Sequence, residues 1–429
     1  MTKATIIHGD CLEELKRLDD NSIDAVITDP PYGLSNTKPA QVADVLKAWV
    51  AGDTETVPTK RGGFMGKDWD SFVPPPAVWE ECMRVLKPGG HMAVFAGART
   101  QDLMGLSIRL AGFEIRDTLG WIYGSGFPKS HNISKAIDKD AGAEREVVGT
   151  YAGASNIGKK ADGKWGYEPG QGSNAGADLS VPITVPATDA AKHWDGWGTA
   201  LKPAIEPIIL ARKPLDGTVA NNVLEHGVGG LNIDACRIAT DDDLGAAGRG
   251  AQTFSNQVFG GGLGVSSGRS NAAGGRFPAN VLLDEHAAAE MDAQSGVSTS
   301  SVRESEDKDD PGATFSIVRA LTGVTARGHN DSGGASRYFP IFKYQPKAPK
   351  RERPIIERED GTKIQHPTVK PVALMEWLVS LIVPPGGVAL DPFAGSGTTL
   401  QAAINKGFTP IGIEQDADYI QLIEKRLGQ

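Results

Sequence analysis

The tetrapeptide Asp29-Pro30-Pro31-Tyr32 contains groups that could hold and activate an aromatic amine. The exocyclic amine of a nucleobase is a poor nucleophile because its lone pair is delocalised into the ring. Consecutive prolines lack N–H donors, which leaves backbone carbonyls free to accept hydrogen bonds beside the carboxylate of Asp29. Two such acceptors could turn the lone pair out of the ring plane while Tyr32 stacks on the base, a contact worth about 1–3 kcal/mol. Taken alone, the tetrapeptide could equally be a turn that ends a strand.

A second pattern, DPFAGSGTT over residues 391–399, is typical of a ligand-binding turn between a strand and a helix. Gly395 and Gly397 allow a ligand to approach the backbone, and the helix amino terminus favours a negatively charged group. The turn is not a phosphate-binding P-loop, because no Gly-Lys-Ser/Thr follows, and Leu400 replaces the third glycine of the dinucleotide fingerprint. Glu414 ends the next predicted strand, where an acid can bind the ribose hydroxyls of an adenosine-containing ligand.

Both patterns follow predicted strands, within a regular alternation of strands and helices at the two ends of the chain. Near the start, two apolar runs stop at Asp10 and Asp29. The segment VWEECMRVLKPGG has helical spacing and ends in the Pro-Gly-Gly expected after a helix. The alternation returns after about residue 366. It predicts an α/β fold of the Rossmann-like type, with a mostly parallel twisted sheet covered by helices. Ligands bind at the carboxyl ends of the strands in such sheets.

Composition divides the chain into three parts, 1–130, 131–350 and 351–429, of which the middle part is richer in Gly, Ser, Asn and Pro. We predict one catalytic domain in two sequence segments, with a recognition region inserted between them. Two Gly/Ser-rich stretches of the insert, about 151–180 and 241–276, are predicted to be flexible loops.

The net charge of −9 neither supports nor excludes a nucleic-acid partner, because a binding groove needs only a local positive surface. One stretch that could supply such a surface contains five basic residues: Lys343, Lys347, Lys350, Arg351 and Arg353. On charge alone this stretch could equally be a solvated loop.

The three cysteines lie far apart and form no CxxC pair, so we expect no metal site and a reducing compartment. No apolar run approaches the length of a membrane span, and charged Asp10 comes too early for a secretory signal, so we expect a cytoplasmic location. The segment His193-Trp194-Asp195-Gly196-Trp197 contains two indole rings, which we expect to pack into the protein rather than to stack on a base.

DPPY near the start and DPFAGSGTT near the end, in this order, resemble the beta-class amino-DNA methyltransferases of the DPPY type. In that family the catalytic half of the sequence precedes the cofactor-binding half, and a target-recognition region lies between them. Four further stretches agree with the resemblance: His8-Gly9-Asp10, the LKPGG of residues 86–90, the HPTVKP of residues 366–371 and Gly412-Ile413-Glu414. The resemblance covers roughly residues 4–125 and 335–427.

The resemblance implies a methyltransferase fold, the methyl donor S-adenosylmethionine with S-adenosylhomocysteine as the product, and no metal. It implies that Asp29 and the Pro30 carbonyl accept the hydrogens of the target amine, with Pro31 beside them, and that Tyr32 stacks on a flipped base. Around the cofactor it implies Asp10 on the adenine amino group, with Cys11 beside it, and Glu414 on the ribose. The remaining cofactor contacts that it implies are Asp29, His366, Pro367, Thr368, Lys370, Phe393, Ala394, Gly395, Ser396, Gly397 and Thr398.

The implied substrate is double-stranded DNA, with N6 of adenine favoured because the family's DPPY spelling is commoner in adenine than in cytosine enzymes. The resemblance also makes the basic residues between Lys343 and Arg353 candidates for phosphate contacts, and it implies a homodimer. Whether a partner restriction endonuclease exists stays open. The alternatives are methylation of cytosine N4, methylation of an amine in RNA or protein, and an inactive DNA-binding regulator. An NAD-dependent dehydrogenase would leave DPPY unexplained.

Overall fold

The computed structural model describes most of the chain in several segments, with gaps mainly in the middle third. Most of the two stretches expected to be loops, 151–180 and 241–276, falls outside the described residues. The described segments are residues 3–35, 37–58, 70–124, 126, 130–152, 158–159, 165–166, 180–240, 275–300, 303–305, 325–327, 331–342 and 352–428.

A nine-stranded sheet forms the centre of the molecule. Its strands are β1 (Thr5–His8), β2 (Ile23–Thr28), β3 (Leu86–Phe95), β4 (Glu114–Ile122), β5 (Ile205–Arg212), β6 (Val281–Asp284), β7 (Ile341–Phe342), β8 (Val388–Asp391) and β9 (Thr409–Glu414). They lie in the order β1-β9-β8-β2-β3-β5-β4-β6-β7. Neighbouring strands are parallel except at β5, which is antiparallel to both β3 and β4. The expected α/β fold with a mostly parallel sheet is confirmed.

Helices and short two-stranded ribbons complete the described structure. The helices are α1 (Cys11–Leu15), α2 (Pro39–Val50), α3 (Pro76–Val85), α4 (Gln101–Leu110), α5 (Ile133–Asp140), α6 (Asp189–His193), α7 (Val219–His226), α8 (Glu285–Ser295), α9 (Val372–Ile382), α10 (Thr398–Asn405) and α11 (Ala417–Leu427). Short 3₁₀ turns span Asp234–Cys236 and Ala335–Tyr338. The ribbons pair Val147–Ala152 with Ser180–Thr184, Gly158–Lys159 with Trp165–Gly166, Ser298–Ser300 with Asp331–Gly333, Arg303–Ser305 with Thr325–Arg327, and Ile356–Glu357 with Lys363–Ile364.

Two apolar cores cover the two faces of the central strands. Successive side chains of a strand point to opposite faces, so Val26 joins one core and Ile27 the other. The first core receives Trp79 of α3, and the second receives Leu378 of α9. All six residues of β2 are buried, as expected for a parallel strand that is covered on both sides.

Helix α3 ends at Val85, ahead of the Pro-Gly-Gly that was expected to follow it. Leu86-Lys87-Pro88-Gly89-Gly90, however, already form the start of β3, which begins earlier than the predicted strand. Pro88 cannot continue a helix. Gly89 has a φ of +77°, and the pairing with β2 shifts register at this point, which is typical of a strand that begins with an irregularity.

The middle of the chain contributes strands to the central sheet. β5, β6 and β7 all come from residues 131–350, and β5 lies between β3 and β4. The division at 130 and 350 stays a prediction, but part of the expected insert belongs to the catalytic sheet. Because β5 runs antiparallel to its neighbours, its amino end lies beside their carboxyl ends.

Candidate active site

Four acidic residues follow the carboxyl ends of four parallel strands: Asp10 after β1, Asp29 after β2, Asp391 at the end of β8 and Glu414 at the end of β9. In a parallel sheet these strand ends meet at one edge, where ligands bind. A cavity of about 1300 Å³ opens there, and all four residues line it. Asp29 and Gly395 come from opposite ends of the sequence, and they line the same cavity.

The part of the cavity around Asp29, Tyr32, Glu206 and Lys370 is shaped by contacts between charged and polar side chains. We call it the acceptor half. Oδ1 of Asp29 accepts a hydrogen bond from the Tyr32 hydroxyl at 2.7 Å, and Oδ2 accepts one from Lys370 Nζ at 2.8 Å. Lys370 Nζ also lies 3.2 Å from Oε2 of Glu206. Burial opposes the charged ammonium, but Asp29 and Glu206 outweigh it and raise the pKa of Lys370 above its ordinary value. The ammonium is therefore charged at neutral pH between two carboxylates.

Tyr32 is fixed from both its hydroxyl and its backbone. Its backbone N–H donates to Asp70 Oδ1 at 2.7 Å, and its carbonyl accepts from the Thr100 hydroxyl at 2.6 Å. Burial, followed by the nearby charges of Asp29 and Glu206, raises the pKa of Tyr32 well above its ordinary value. The hydroxyl therefore stays protonated and donates, while the aromatic ring lines the cavity.

Sequence reasoning missed Glu206. It stands near the amino end of β5, opposite Trp121 of β4, and it lines the cavity beside Tyr32 and Lys370. The antiparallel direction of β5 brings this amino end to the edge where the parallel strands end. The one signal was an acid beside a proline at the start of an apolar run.

The part of the cavity around the glycine turn at Gly395 and around Glu414 is shaped by the backbone. We call it the donor half. Gly395 has a φ of +52°, and a Cβ built on it would lie 3.0 Å from Nε2 of His366. Glu414 fixes the turn, because its Oε2 accepts from the Gly395 N–H at 2.8 Å and its Oε1 from the Asp416 N–H at 2.9 Å. Burial raises the pKa of Glu414 to about 7.

Asp391 connects the two halves. Its Oδ1 accepts from the Thr28 hydroxyl at 2.7 Å, directly before Asp29, and from the Phe393 N–H at 3.1 Å, within the glycine turn. Burial raises the pKa of Asp391 to about 6. This carboxylate ties the end of β2 to the turn after β8, and so fixes the distance between the halves.

The expected cofactor contacts from the other elements also line the cavity. Oδ1 of Asp10 caps α1 by accepting from the N–H of Leu12 at 2.9 Å. The ring of His366 packs edge-on against Tyr419, with 4.6 Å between centroids, and its Nδ1 contacts the Thr368 carbonyl. Burial lowers the pKa of His366 to about 4, so the ring is neutral at pH 7. Burial raises the pKa of the Cys11 thiol to about 12, so this thiol stays protonated.

The structure brings together most of the residues predicted for the site. The cavity is lined by Asp10, Cys11, Asp29, Pro30, Pro31, Tyr32, His366, Pro367, Thr368, Lys370, Phe393, Ala394, Gly395, Ser396, Thr398 and Glu414. Gly397 does not line it and packs instead against Ile423, 3.1 Å from a built Cβ. Lys370 lies on Asp29 and Glu206, in the acceptor half, rather than with the other expected cofactor contacts.

Most of the predicted basic stretch is not described by the structure. Lys343, Lys347, Lys350 and Arg351 lie outside the described residues. Arg353 is described, and it lines the cavity as a half-buried side chain. Phosphate contacts by these five residues stay a prediction.

Other features of the described residues lie away from this cavity. One group of possible metal ligands, Asp216, Glu225 and His226, is found in the described part of the chain, near α7 and outside the cavity lining. None of the described helices is both long and apolar enough to cross a membrane.

Comparisons with known proteins agree with the motifs. A family model described as DNA methylase, for the N6/N4 methyltransferases, matches residues 23–168 and 196–425. The type II methyltransferase M.HindIII of Haemophilus influenzae is 25% identical over 248 residues, 53% of this chain and 64% of that protein. The DNA adenine methyltransferase YhdJ of Escherichia coli is 47% identical over 62 residues, 14% of this chain and 21% of that protein. The alignments thus cover less than two thirds of each relative's length.

Among solved structures, the cytosine-N4-specific PvuII DNA methyltransferase is similar with a TM-score of 0.40 and 13% identity, over 99% of this chain and 87% of that one. The match of the family model covers most of the chain and includes both the DPPY and the glycine-turn segments. The chain belongs to the N6/N4 family of DNA methylases.

Proposed function

We propose that this protein transfers a methyl group from S-adenosylmethionine to the exocyclic amine of a base flipped out of duplex DNA, and that the target is N6 of adenine. The observation that carries the proposal is the single cavity lined by both Asp29 and Gly395. A methyl donor in one half and an amine in the other would meet without any further rearrangement of the sheet. Family membership supports DNA as the substrate.

The donor half fits S-adenosylmethionine. The positive φ of Gly395 and the 3.0 Å from its built Cβ to His366 describe a turn where a side chain would fill the space that a ligand needs. Asp10 and Glu414 supply carboxylates for the amino and hydroxyl groups of an adenosine, and Phe393 supplies an apolar wall. When bound, S-adenosylmethionine supplies a methyl group that is already activated by a sulfonium.

In the acceptor half, the chain's own residues hold the amine. The carboxylate of Asp29 and the Pro30 carbonyl accept its two hydrogens, which turns the nitrogen lone pair towards the methyl group. Tyr32 stacks on the base, and Lys370 orients the Asp29 carboxylate through its 2.8 Å hydrogen bond. After transfer the nitrogen carries one proton too many, and the Asp29 carboxylate is placed to accept it. Alignment of this kind is the main requirement when the electrophile is already activated.

The base must leave the duplex to reach this cavity, at a cost of a few kcal/mol. Adenine is favoured by the DPPY spelling, and YhdJ, a relative with 47% identity over its matched segment, is named as an adenine methyltransferase. The homodimer expected from the sequence stays a prediction, and we make no proposal about a partner endonuclease.

A labelled-methyl assay tests the proposal. The protein is incubated with methyl-labelled S-adenosylmethionine and, separately, with duplex DNA, RNA and bulk protein, and the DNA is digested to nucleosides. We expect label in DNA alone, recovered as N6-methyladenine, and none with the Asp29→Asn variant. Label in N4-methylcytosine would change the target base, whereas label only in RNA or protein would overturn the proposal.

A further inference from the structure

An exposed apolar segment runs from α6 to the mouth of the cavity. Every residue from 192 to 203 is exposed, and three of them are large and apolar. Trp194 is 39% exposed, Trp197 59% and Leu201 93%. The two indole rings contact each other edge-on, with 5.0 Å between centroids, but the expectation that they pack into the protein was wrong. We call residues 192–203 the rim segment.

The backbone of the rim segment is anchored although its side chains are exposed. The Thr199 N–H donates to Oγ of Ser130 at 2.9 Å, and its hydroxyl accepts from the His131 N–H at 2.9 Å. The Trp197 carbonyl accepts from the N–H of Ile133, at the start of α5, at 3.1 Å. These apolar side chains are therefore presented to solvent from a fixed backbone.

The rim segment leads directly into the acceptor half. Residues 199–206 line the cavity without interruption, from the rim to Glu206. Glu206 lies five positions after Leu201, so their Cα atoms lie at most about 18 Å apart. Two exposed cations, Arg99 and Lys202, line the same cavity. The Lys202 ammonium also donates to the Gly124 carbonyl. An exposed leucine and two exposed cations therefore line the same cavity.

We propose that the rim segment contacts the duplex beside the extruded base, and that Leu201 inserts into the gap that this base leaves. The inference rests on the proposed function, because only a base taken from a duplex leaves such a gap. Apolar side chains inserted between base steps replace lost stacking. Arg99 and Lys202 would face the phosphates on either side, which favours a polyanionic partner over an apolar protein surface. Trp197 would extend the contact along the duplex.

The role of Leu201 predicts a dependence on how firmly the target base is paired. Single-turnover methylation is measured for the wild type and Leu201→Ala on two duplexes, with the target adenine paired to thymine or placed opposite an abasic site. We expect Leu201→Ala to be about tenfold to thirtyfold slower on the paired duplex and within about threefold of wild type on the abasic one. Trp197→Ala, measured in the same way, should show a smaller loss on the paired duplex.

The control is Leu224→Ala. Leu224 is 87% exposed, lies on α7 and does not line the cavity, so its removal should change neither rate. If Leu201→Ala matches this control, or if it is equally slow on both duplexes, the insertion is wrong. If it converts a wild-type dimer into a monomer in light scattering, the rim is a subunit interface and the proposal is also wrong. If the wild type methylates neither duplex, the proposed function itself fails, which is a separate result.

Discussion

The two halves of the cavity are built in different ways. In the acceptor half, three ionisable side chains and a tyrosine hydroxyl contact one another, with Lys370 Nζ 2.8 Å from Asp29 and 3.2 Å from Glu206. In the donor half, the shape comes from a glycine turn, and Glu414 holds that turn through backbone N–H groups. One half is organised by charge and the other by backbone conformation.

This difference corresponds to two different tasks. The acceptor half must orient a weak nucleophile in the transition state, so its contribution should appear mainly in the rate of transfer. The donor half must bind a molecule whose methyl group is already reactive, so its contribution should appear mainly in cofactor affinity. The following substitutions test this separation.

Asp29→Ala should have the largest effect. It removes a hydrogen-bond acceptor for the amine, and we expect the single-turnover rate to fall about a thousandfold or more. Cofactor affinity measured by calorimetry should change by less than about tenfold, since Asp29 lies in the acceptor half. Full turnover by this variant would refute the assignment of Asp29.

Lys370→Met should have the next largest effect, with a rate loss of about a hundredfold at pH 7. The substitution leaves the carboxylates of Asp29 and Glu206 close together without the ammonium between them, so one of them takes up a proton more readily. The acidic limb of the pH–rate profile should therefore move to higher pH.

The matched variant for this effect is Glu206→Gln, which removes one carboxylate and keeps the ammonium on Asp29. Its acidic limb should stay near that of the wild type. Equal profiles for Lys370→Met and the wild type would show that Lys370 does not act through Asp29.

Gly395→Ala should weaken cofactor binding by about tenfold to a hundredfold while its rate at saturating cofactor changes less. The added Cβ would lie 3.0 Å from His366 Nε2, so it would crowd the turn at which we place the cofactor. Gly407→Ala is the control, because its φ of +79° imposes a similar backbone cost in open space away from the cavity. Equal affinities for the two variants would contradict the role of the turn.

Glu414→Gln should have the smallest effect, and it should depend on pH. The pKa of Glu414 is raised to about 7, so much of the free protein carries a protonated Glu414 below that pH. Ribose hydroxyls donate better to the ionised carboxylate, so wild-type cofactor affinity should increase about threefold to tenfold as the pH rises from 6 to 8. In Glu414→Gln this increase should disappear. An unchanged pH dependence in calorimetry would remove the ribose role.

The sequence was informative where function depends on local order. DPPY and DPFAGSGTT each combine a strand end with the turn that follows it, so Asp29 and Gly395 could be placed at one edge from the alternation of elements. Glu206 could not be placed, because its position depends on β5 running antiparallel to its neighbours, a property of the whole sheet. The link between Lys370 and Asp29 spans 341 positions and was invisible for the same reason.

The prediction that two tryptophans pack into the protein was also wrong. Tryptophan side chains are usually packed against the protein, but 39% of the Trp194 surface and 59% of the Trp197 surface are exposed. Leu86-Lys87-Pro88-Gly89-Gly90 was expected to follow the end of a helix, but it begins β3, with Leu86 paired to Ile23 before the register shifts. Both errors concern long-range packing, which local patterns do not encode.

A crystal structure of the ternary complex tests the central claim most directly. The protein would be bound to sinefungin, a stable analogue of the methyl donor, and to a duplex that contains the methylated sequence. We predict that the target adenine lies in the cavity with N6 within hydrogen-bonding distance of Asp29 and about 3–3.5 Å from the sinefungin group that replaces the methyl. An analogue bound away from the Gly395 turn, or a target base bound away from Asp29, would contradict the account.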